Sequence, residues 1–355
     1  MMTSAETYAE RLFAASVSTY ETFSTYVGLT LGWFAALADR GPATSAELAA
    51  RTGTQERYCR EFCEFQASLG TLTADDATDH RVRVFTLPPG PAEVLLDENS
   101  LTYLGPLTRM AAAAGRRIDD LLTAYRDGGG VSWDAFGDDA RESQAALNRP
   151  WFTQKLAPAL ARVPELDAIL GRPGARILDV GCGGGWSTLA LARAYPDATV
   201  VGVDIDAPSI EAAGTAAGAA GLTDRVEFVL AEGAALPKSE PYDAAFAFEC
   251  LHDMPRPVEV LSAIRSALQP DGAVVIMDEA VADEFATPGT EIDQCMYGFS
   301  LFICLPDGLA SSPSVGTGTV MRRSVLTDYA RGAGFTDVTV LPIDDFGFFR
   351  FYRLS

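Results

Sequence analysis

The chain has 355 residues, 48% of them hydrophobic, which exceeds the length one core usually serves and fits two globular domains rather than a disordered tail. A formal net charge of −21 repels phosphate backbones and anionic lipid surfaces, so neither nucleic acid nor membrane is an expected partner. The opening residues lack a basic start followed by an apolar run, and six cysteines show no zinc-ribbon spacing, which points to a reduced, cytoplasmic setting.

In chain order, helical spacing of apolar residues runs from about Ala5 to Arg40 and stops at Gly41-Pro42. Thr44 or Ser45 caps a short helix through Glu47, a second helix follows over Gln55 to Leu69, and RVRVFTL alternates as a strand over Val82 to Leu87. Cys59 and Cys63, four apart on that second helix, read as small buried side chains. Helix, helix and hairpin together predict a winged-helix-like unit. Its second helix sets Arg57 and Arg60 against Glu56, Glu61 and Glu64, which favours dimerisation or a lid over DNA binding. Leu101 to Tyr125 continues as helix, a Gly-rich loop reaches Gly137, and helices broken at Pro150, Pro158 and Pro164 lead into the second domain. The division expected is 1–143 for the N-terminal domain and 144–355 for the C-terminal one.

From Arg176 onward short apolar strands alternate with amphipathic helices, the pattern of a parallel sheet covered on both faces. Seven strands are expected, at Ile177–Val180, Val200–Asp204, Val226–Leu230, Tyr242–Phe248, Val274–Asp278, Val338–Leu341 and Phe348–Tyr352. The sharpest signal is RILDVGCGGGW followed by VVGVDID. Gly181, Gly183 and Gly185 allow a tight turn and close backbone approach to a ligand, and Asp204 ends the next strand where a carboxylate can take two ribose hydroxyls. Dinucleotide fingerprints place a glycine where Trp186 stands, while Asp179 can balance a cationic ligand, so the details disfavour an NAD-dependent oxidoreductase.

These residues, with YDAAFAFECLHDM and LQPDGAVVIMDE further on, resemble the class I S-adenosylmethionine-dependent methyltransferases over 176–280. With the helical unit in front, most of the chain resembles their bacterial two-domain subgroup, many of which are built like small-molecule O-methyltransferases. The resemblance implies an α/β, Rossmann-like seven-stranded sheet, a homodimer, and S-adenosylmethionine converted to S-adenosylhomocysteine. It assigns Asp179, Gly181 and Gly183 to the methionine part, Gly185 to the same cofactor-binding turn, Asp204 to the ribose, Ile205 to one adenine face, and Glu232 with Gly233 to the adenine amine segment.

Ligands in an open parallel sheet lie beyond the carboxyl ends of the strands, which puts Glu249, His252 and Asp253 beside the transferable methyl. His252 is one of two histidines and can take a proton from a hydroxyl, with Asp253 orienting it, whereas His80 reads as a solvated residue. Trp151 and Phe152, and the inserted Met296, Tyr297, Phe299 and Phe302, are expected to wall an apolar or aromatic acceptor. His252-Asp253 also resembles the metal position of some keto-acid C-methyltransferases, but no further histidine follows the fifth strand; Cys304 is the available substitute, and no metal is expected. A cofactor-binding sensor, scaffold or non-methylating catalyst on the same fold is the alternative from another class.

Overall fold

The computed structural model describes residues 4–236 and 240–355, and divides the chain into two compact units, Met1–Gly115 with Glu142–Leu147, and Arg116–Arg141 with Asn148–Ser355. In the first unit, α1 (Ala5–Thr30) starts where the Ser4 hydroxyl accepts the Thr7 N–H. The single helix expected over Ala5 to Arg40 is two, because Gly32 adopts a left-handed conformation (φ 71°) and α2 (Trp33–Arg40) sets off in a new direction. Thr44 and Glu47 form the expected capping box at the head of α3 (Ser45–Thr52), worth about 1 kcal/mol.

Helix α4 (Glu56–Leu69) and three short antiparallel strands, β1 (Ala43–Thr44), β2 (Thr73–Ala74) and β3 (Val84–Thr86) in the order β1-β3-β2, close a core of Trp33, Phe34, Leu48, Phe62 and Phe85. Cys59 and Cys63 are buried free thiols, and His80 is exposed. Helices α5 (Pro89–Leu96) and α6 (Gly105–Gly115) complete this unit. The continuous helix expected to Tyr125 ends at Gly115, and α7 (Ile118–Asp127) is separate.

After α8 (Trp133–Phe136), α9 (Asp138–Trp151) carries Pro150 inside it. Proline removes one donor from the ladder, and the chain continues through a wider π-turn, Phe152–Leu156, instead of breaking. Pro158 and Pro164 sit in the first turns of α10 (Ala157–Leu160) and α11 (Pro164–Leu170), where no donor is missed.

Seven strands follow: β4 (Arg176–Val180), β5 (Thr199–Asp204), β6 (Val226–Leu230), β7 (Tyr242–Phe248), β8 (Leu268–Glu279), β9 (Val338–Val340) and β10 (Phe349–Leu354). Their order is β6-β5-β4-β7-β8-β10-β9, with β10 antiparallel to both neighbours. Helices α12 (Trp186–Ala194), α13 (Ala207–Ala220), α14 (Pro257–Ala267) and α17 (Arg323–Gly332) cover it, and α15 (Glu291–Phe299), a second π-turn (Ser300–Cys304) and α16 (Leu305–Ala310) form the insertion after β8. Strands β4, β7 and β8 are buried on both faces, so their runs are apolar without alternation. The polar exceptions, Asp179, Asp278 and Glu279, lie toward the carboxyl ends of β4 and β8. The strand order reverses between β4 and β7, and the glycine turn and acidic groups of the site below lie at or just beyond the carboxyl ends of β4, β5, β7 and β8.

Candidate active site

The turn after β4 is built on three left-handed glycines, Gly181 (φ 72°), Gly183 (φ 49°) and Gly185 (φ 78°). A Cβ on Gly185 would lie 2.6 Å from the Phe228 ring, whereas one on Gly183 would meet open space, so the turn packs on one side and faces outward on the other. Helix α12 starts at once with no side-chain cap, which leaves its first N–H groups free, and the Arg149 guanidinium sits 4.7 Å from the Trp186 ring centroid.

Asp204 at the end of β5 accepts the Gly183 N–H on one oxygen and the Asp206 N–H on the other, both at 2.8 Å, keeping a lone pair on each for a diol. Burial pushes its carboxyl up, and those two N–H groups pull against that. Ile205 beside it is 69% exposed, an apolar side chain left where a flat ring can cover it.

Asp179 lies beneath the turn, fully buried. One of its oxygens accepts both the Ser187 and Thr188 hydroxyls at 2.6 Å, and the other has no hydrogen-bond partner. Burial pushes its carboxyl up to about 6, against the two hydroxyls and with help from Asp204. A raised carboxyl stabilises the fold fully below its unfolded value near 3.9 and loses that contribution as pH rises through about 6. Asp179→Asn should therefore melt higher than wild type at about pH 8, by up to ~3 kcal/mol of stability, and show no gain at about pH 4. Thermal scans at both pH values giving parallel curves would contradict a buried charge here.

His252 follows β7 on a buried turn, and it is the centre of an acidic cage. Its Nδ1 lies 2.9 Å from Asp278 and 3.4 Å from Glu279, and its Nε2 lies 3.3 Å from Asp253. Burial opposes a charge on the ring, yet Asp253, Asp278 and Glu279 together raise its pKa well above the ordinary value, so the ring is an imidazolium at neutral pH. The expected orienting residue, Asp253, is thus on the far nitrogen, and Asp278 holds the near one. Glu279 is pushed well up by burial and by Asp278, against His252; burial raises Asp278 too, but His252 and Glu279 outweigh it and bring it below the usual range. Donor atoms of His252, Asp253 and Cys304 lie within 4.8 Å of one another, as do those of His252, Asp278 and Glu279.

Glu249, the one non-glycine with positive φ (52°) among the described residues, ends the same strand and accepts the Asn148 amide at 2.6 Å. Backbone strain at such a place accompanies function.

Other expected site residues are dispersed. Glu232 turns its carboxylate to Arg256 at 2.9 Å, and Gly233 opens a short 3₁₀ turn (Gly233–Ala235) against Val180 and Val260. Phe152 is not a pocket wall: it is buried in the core against Phe248 and Phe346, and Met296 is buried as well. Helical spacing placed both on a helix without saying which face the core takes. Trp151 is half-buried against Phe346, Phe299 is half-buried, and Phe302 is exposed. Tyr297 lines a cavity of about 220 Å³ with Phe285, Asp293 and Arg322, none of which belongs to the glycine turn or the His252 cage.

Residues 172–302 match a family model described as a methyltransferase domain. That segment is similar to a methyltransferase domain. The 27-O-demethylrifamycin SV methyltransferase of Amycolatopsis mediterranei is 31% identical over 42% of this chain and 57% of its own length. The trans-aconitate 2-methyltransferase of Streptomyces avermitilis is 33% identical over 40% and 49%. The chain spans about half the length of these curated relatives. Two solved structures carry the same fold across nearly the whole chain: the mitomycin 7-O-methyltransferase MmcR (TM-score 0.73, 20% identity, 98% of this chain and 97% of that one) and PigF with SAH (0.74, 20%, 98% and 99%). In the methyltransferase domain, Asp278 and Glu279 are the site residues that sequence reasoning passed over. Two adjacent acids ending an otherwise apolar strand were their only signal.

Proposed function

We propose that this protein transfers a methyl group from S-adenosylmethionine to a small-molecule acceptor. The observation that carries the reading is the Asp204 carboxylate, fixed by two backbone N–H groups and set between the outward face of Gly183 and the exposed Ile205. That set fits a nucleoside: a diol acceptor, room for close backbone approach, and an apolar face. When bound, S-adenosylmethionine supplies an activated methyl on a sulfonium. Gly181, Gly183 and the free N-terminus of α12 face the amino-acid end, and buried Asp179 offsets positive charge from beneath. Glu249, held by Asn148, lines the approach after β7.

The chain's own contribution to chemistry is alignment, since displacement at a sulfonium draws most of its rate from a close, in-line nucleophile. His252 with Asp278 behind its Nδ1 can receive an acceptor proton at Nε2, once the proton that nitrogen carries has passed to the Asp253 carboxylate 3.3 Å away. Calorimetric titration of the full-length protein with S-adenosylmethionine, S-adenosylhomocysteine and NAD should show saturable binding of the first two and none of NAD. Binding without turnover on a broad acceptor panel would support a sensor or scaffold instead. The relatives named for rifamycin and mitomycin make polycyclic, aromatic small molecules the first panel.

A second reading is metal-assisted methyl transfer to the carbon of a keto acid. It is favoured by the gathering of His252, Asp253 and Cys304, an imidazole, carboxylate and thiol set that a divalent cation accepts once their protons leave. Chelator-treated protein with full turnover and no metal by mass spectrometry would dismiss it.

The N-terminal unit is the proposed dimerisation and lid domain of a cytoplasmic homodimer, and no described helix is long and apolar enough to cross a membrane. Helix α1 leaves Tyr8, Leu12, Phe13, Tyr20 and Val27 in solvent, a stripe too apolar for a free surface. Light scattering at micromolar concentration should give twice the chain mass, and a Phe13→Asp, Tyr20→Asp variant should give one.

A further inference from the structure

The stretch between α7 and α9 is fastened at two places along the carboxyl edge of the sheet. At one place the Arg141 Nε donates to both oxygens of Asp206, at 3.0 and 2.8 Å, while its other nitrogens reach Asp138 at 3.2 Å and Asp134 at 2.6 Å. The Arg141 and Asp206 side chains are only 10% and 9% exposed, so this is a shielded, charge-assisted pair rather than a surface contact. Asp206 in turn donates its N–H to Asp204 and caps α13 through Ser209.

At the other place Val131 donates its N–H to the Pro306 carbonyl at 3.0 Å and Trp133 donates its N–H to Asp307 at 2.6 Å. A Cβ on Gly130 would fall 1.8 Å from the Pro306 oxygen, so the segment seats there only as glycine. The same turn packs on the strand-end loop of His252: a Cβ on Gly308 would meet the Asp253 carbonyl oxygen at 3.0 Å, which sets this second fastening beside the acidic cage. Burial first, then Asp253, push the Asp307 carboxyl up to about 7, against the Trp133 N–H. Between α7 and the seat, Gly128 and Gly129 are both left-handed, and Gly137 repeats that conformation before α9.

We propose that Gly128–Arg141 is a latch across the mouth of the cofactor site, and that Arg141 is its catch, a positioning residue that acts through Asp206 on Asp204 and sets how long the nucleoside stays bound. The proposal rests on the S-adenosylmethionine reading. Gly128 and Gly129 on one side and Gly137 on the other flank a short segment held by few polar contacts, which is how a locally opening element is built. The Asp206 N–H is one of two groups that fix Asp204, so loss of Arg141 both frees the latch and loosens the ribose acid.

The test is the dissociation rate of S-adenosylhomocysteine from the full-length protein by stopped flow. Arg141→Ala should raise that rate about ten-fold or more, as loss of a charge-assisted contact predicts, and raise the cofactor KM with kcat unchanged or higher. Arg141→Lys should recover only part, because one ammonium nitrogen replaces three that reach Asp206, Asp138 and Asp134 separately. Hydrogen exchange on wild type needs no variant: the Val131 and Trp133 amides should exchange more slowly with the nucleoside bound. A dissociation rate within about two-fold of wild type in Arg141→Ala, or amides that do not respond, would overturn the latch. Wild-type protein that fails to bind S-adenosylhomocysteine at all would bring down the cofactor reading itself.

Discussion

Asp204→Ala should weaken S-adenosylhomocysteine binding by about 100-fold, the equivalent of two charge-assisted hydrogen bonds lost at ~1.5–3 kcal/mol each with partial compensation by water. The carboxylate has two duties in the structure. It fixes the Gly183 and Asp206 N–H groups, and it keeps acceptor capacity for a ligand. Alanine leaves both N–H groups without partners, so the glycine turn relaxes as well. Asp204→Asn keeps one acceptor oxygen and should fall between the two. Calorimetry on the three proteins decides the matter: a loss below about ten-fold in the alanine variant would mean that another group binds the ribose.

His252→Ala should abolish turnover and lower the melting temperature by on the order of 10 °C, while S-adenosylhomocysteine still binds. The thermal effect follows from charge. Among the described residues His252 supplies the positive charge in contact with Asp253, Asp278 and Glu279, and removing one partner of a buried pair costs ~3–5 kcal/mol. Asp278→Asn keeps the shape and a carbonyl toward Nδ1, so it should lose far less stability but much of the rate, because the imidazolium is no longer held against a full charge. Differential scanning fluorimetry and a coupled S-adenosylhomocysteine assay separate the two effects. If His252→Ala were as stable as wild type and still turned over, the ring would be neither cage cation nor base.

The central strands β4, β7 and β8 were legible because burial on both faces forces continuous apolar runs, and the glycine turn because few residue types adopt positive φ. The cage was half legible. His252 and Asp253 stood out as a rare residue with an acid beside it, but the acid that engages Nδ1 comes from β8, and a contact between strands leaves no mark on either run. Arg141 was invisible for a related reason: a charged residue in a polar helix reads as solvated surface, and only the fold brings Asp206 to it. The break after Gly115 was missed because alanines and arginines are good helix formers, so local preference gave no stop.

The cage and the mouth share a consequence for turnover. S-adenosylmethionine carries a net positive charge that its product lacks, since methyl transfer leaves an uncharged thioether. Asp179, Asp204, Asp206, Asp253 and Asp307 lie at or near a mouth where Arg141 answers one of them. Such a surface grips the donor harder than the spent form, and the difference acts in favour of exchange each cycle. If the proposed methyl transfer holds, product inhibition should therefore be weak, and it should deepen as the carboxylates are neutralised one by one.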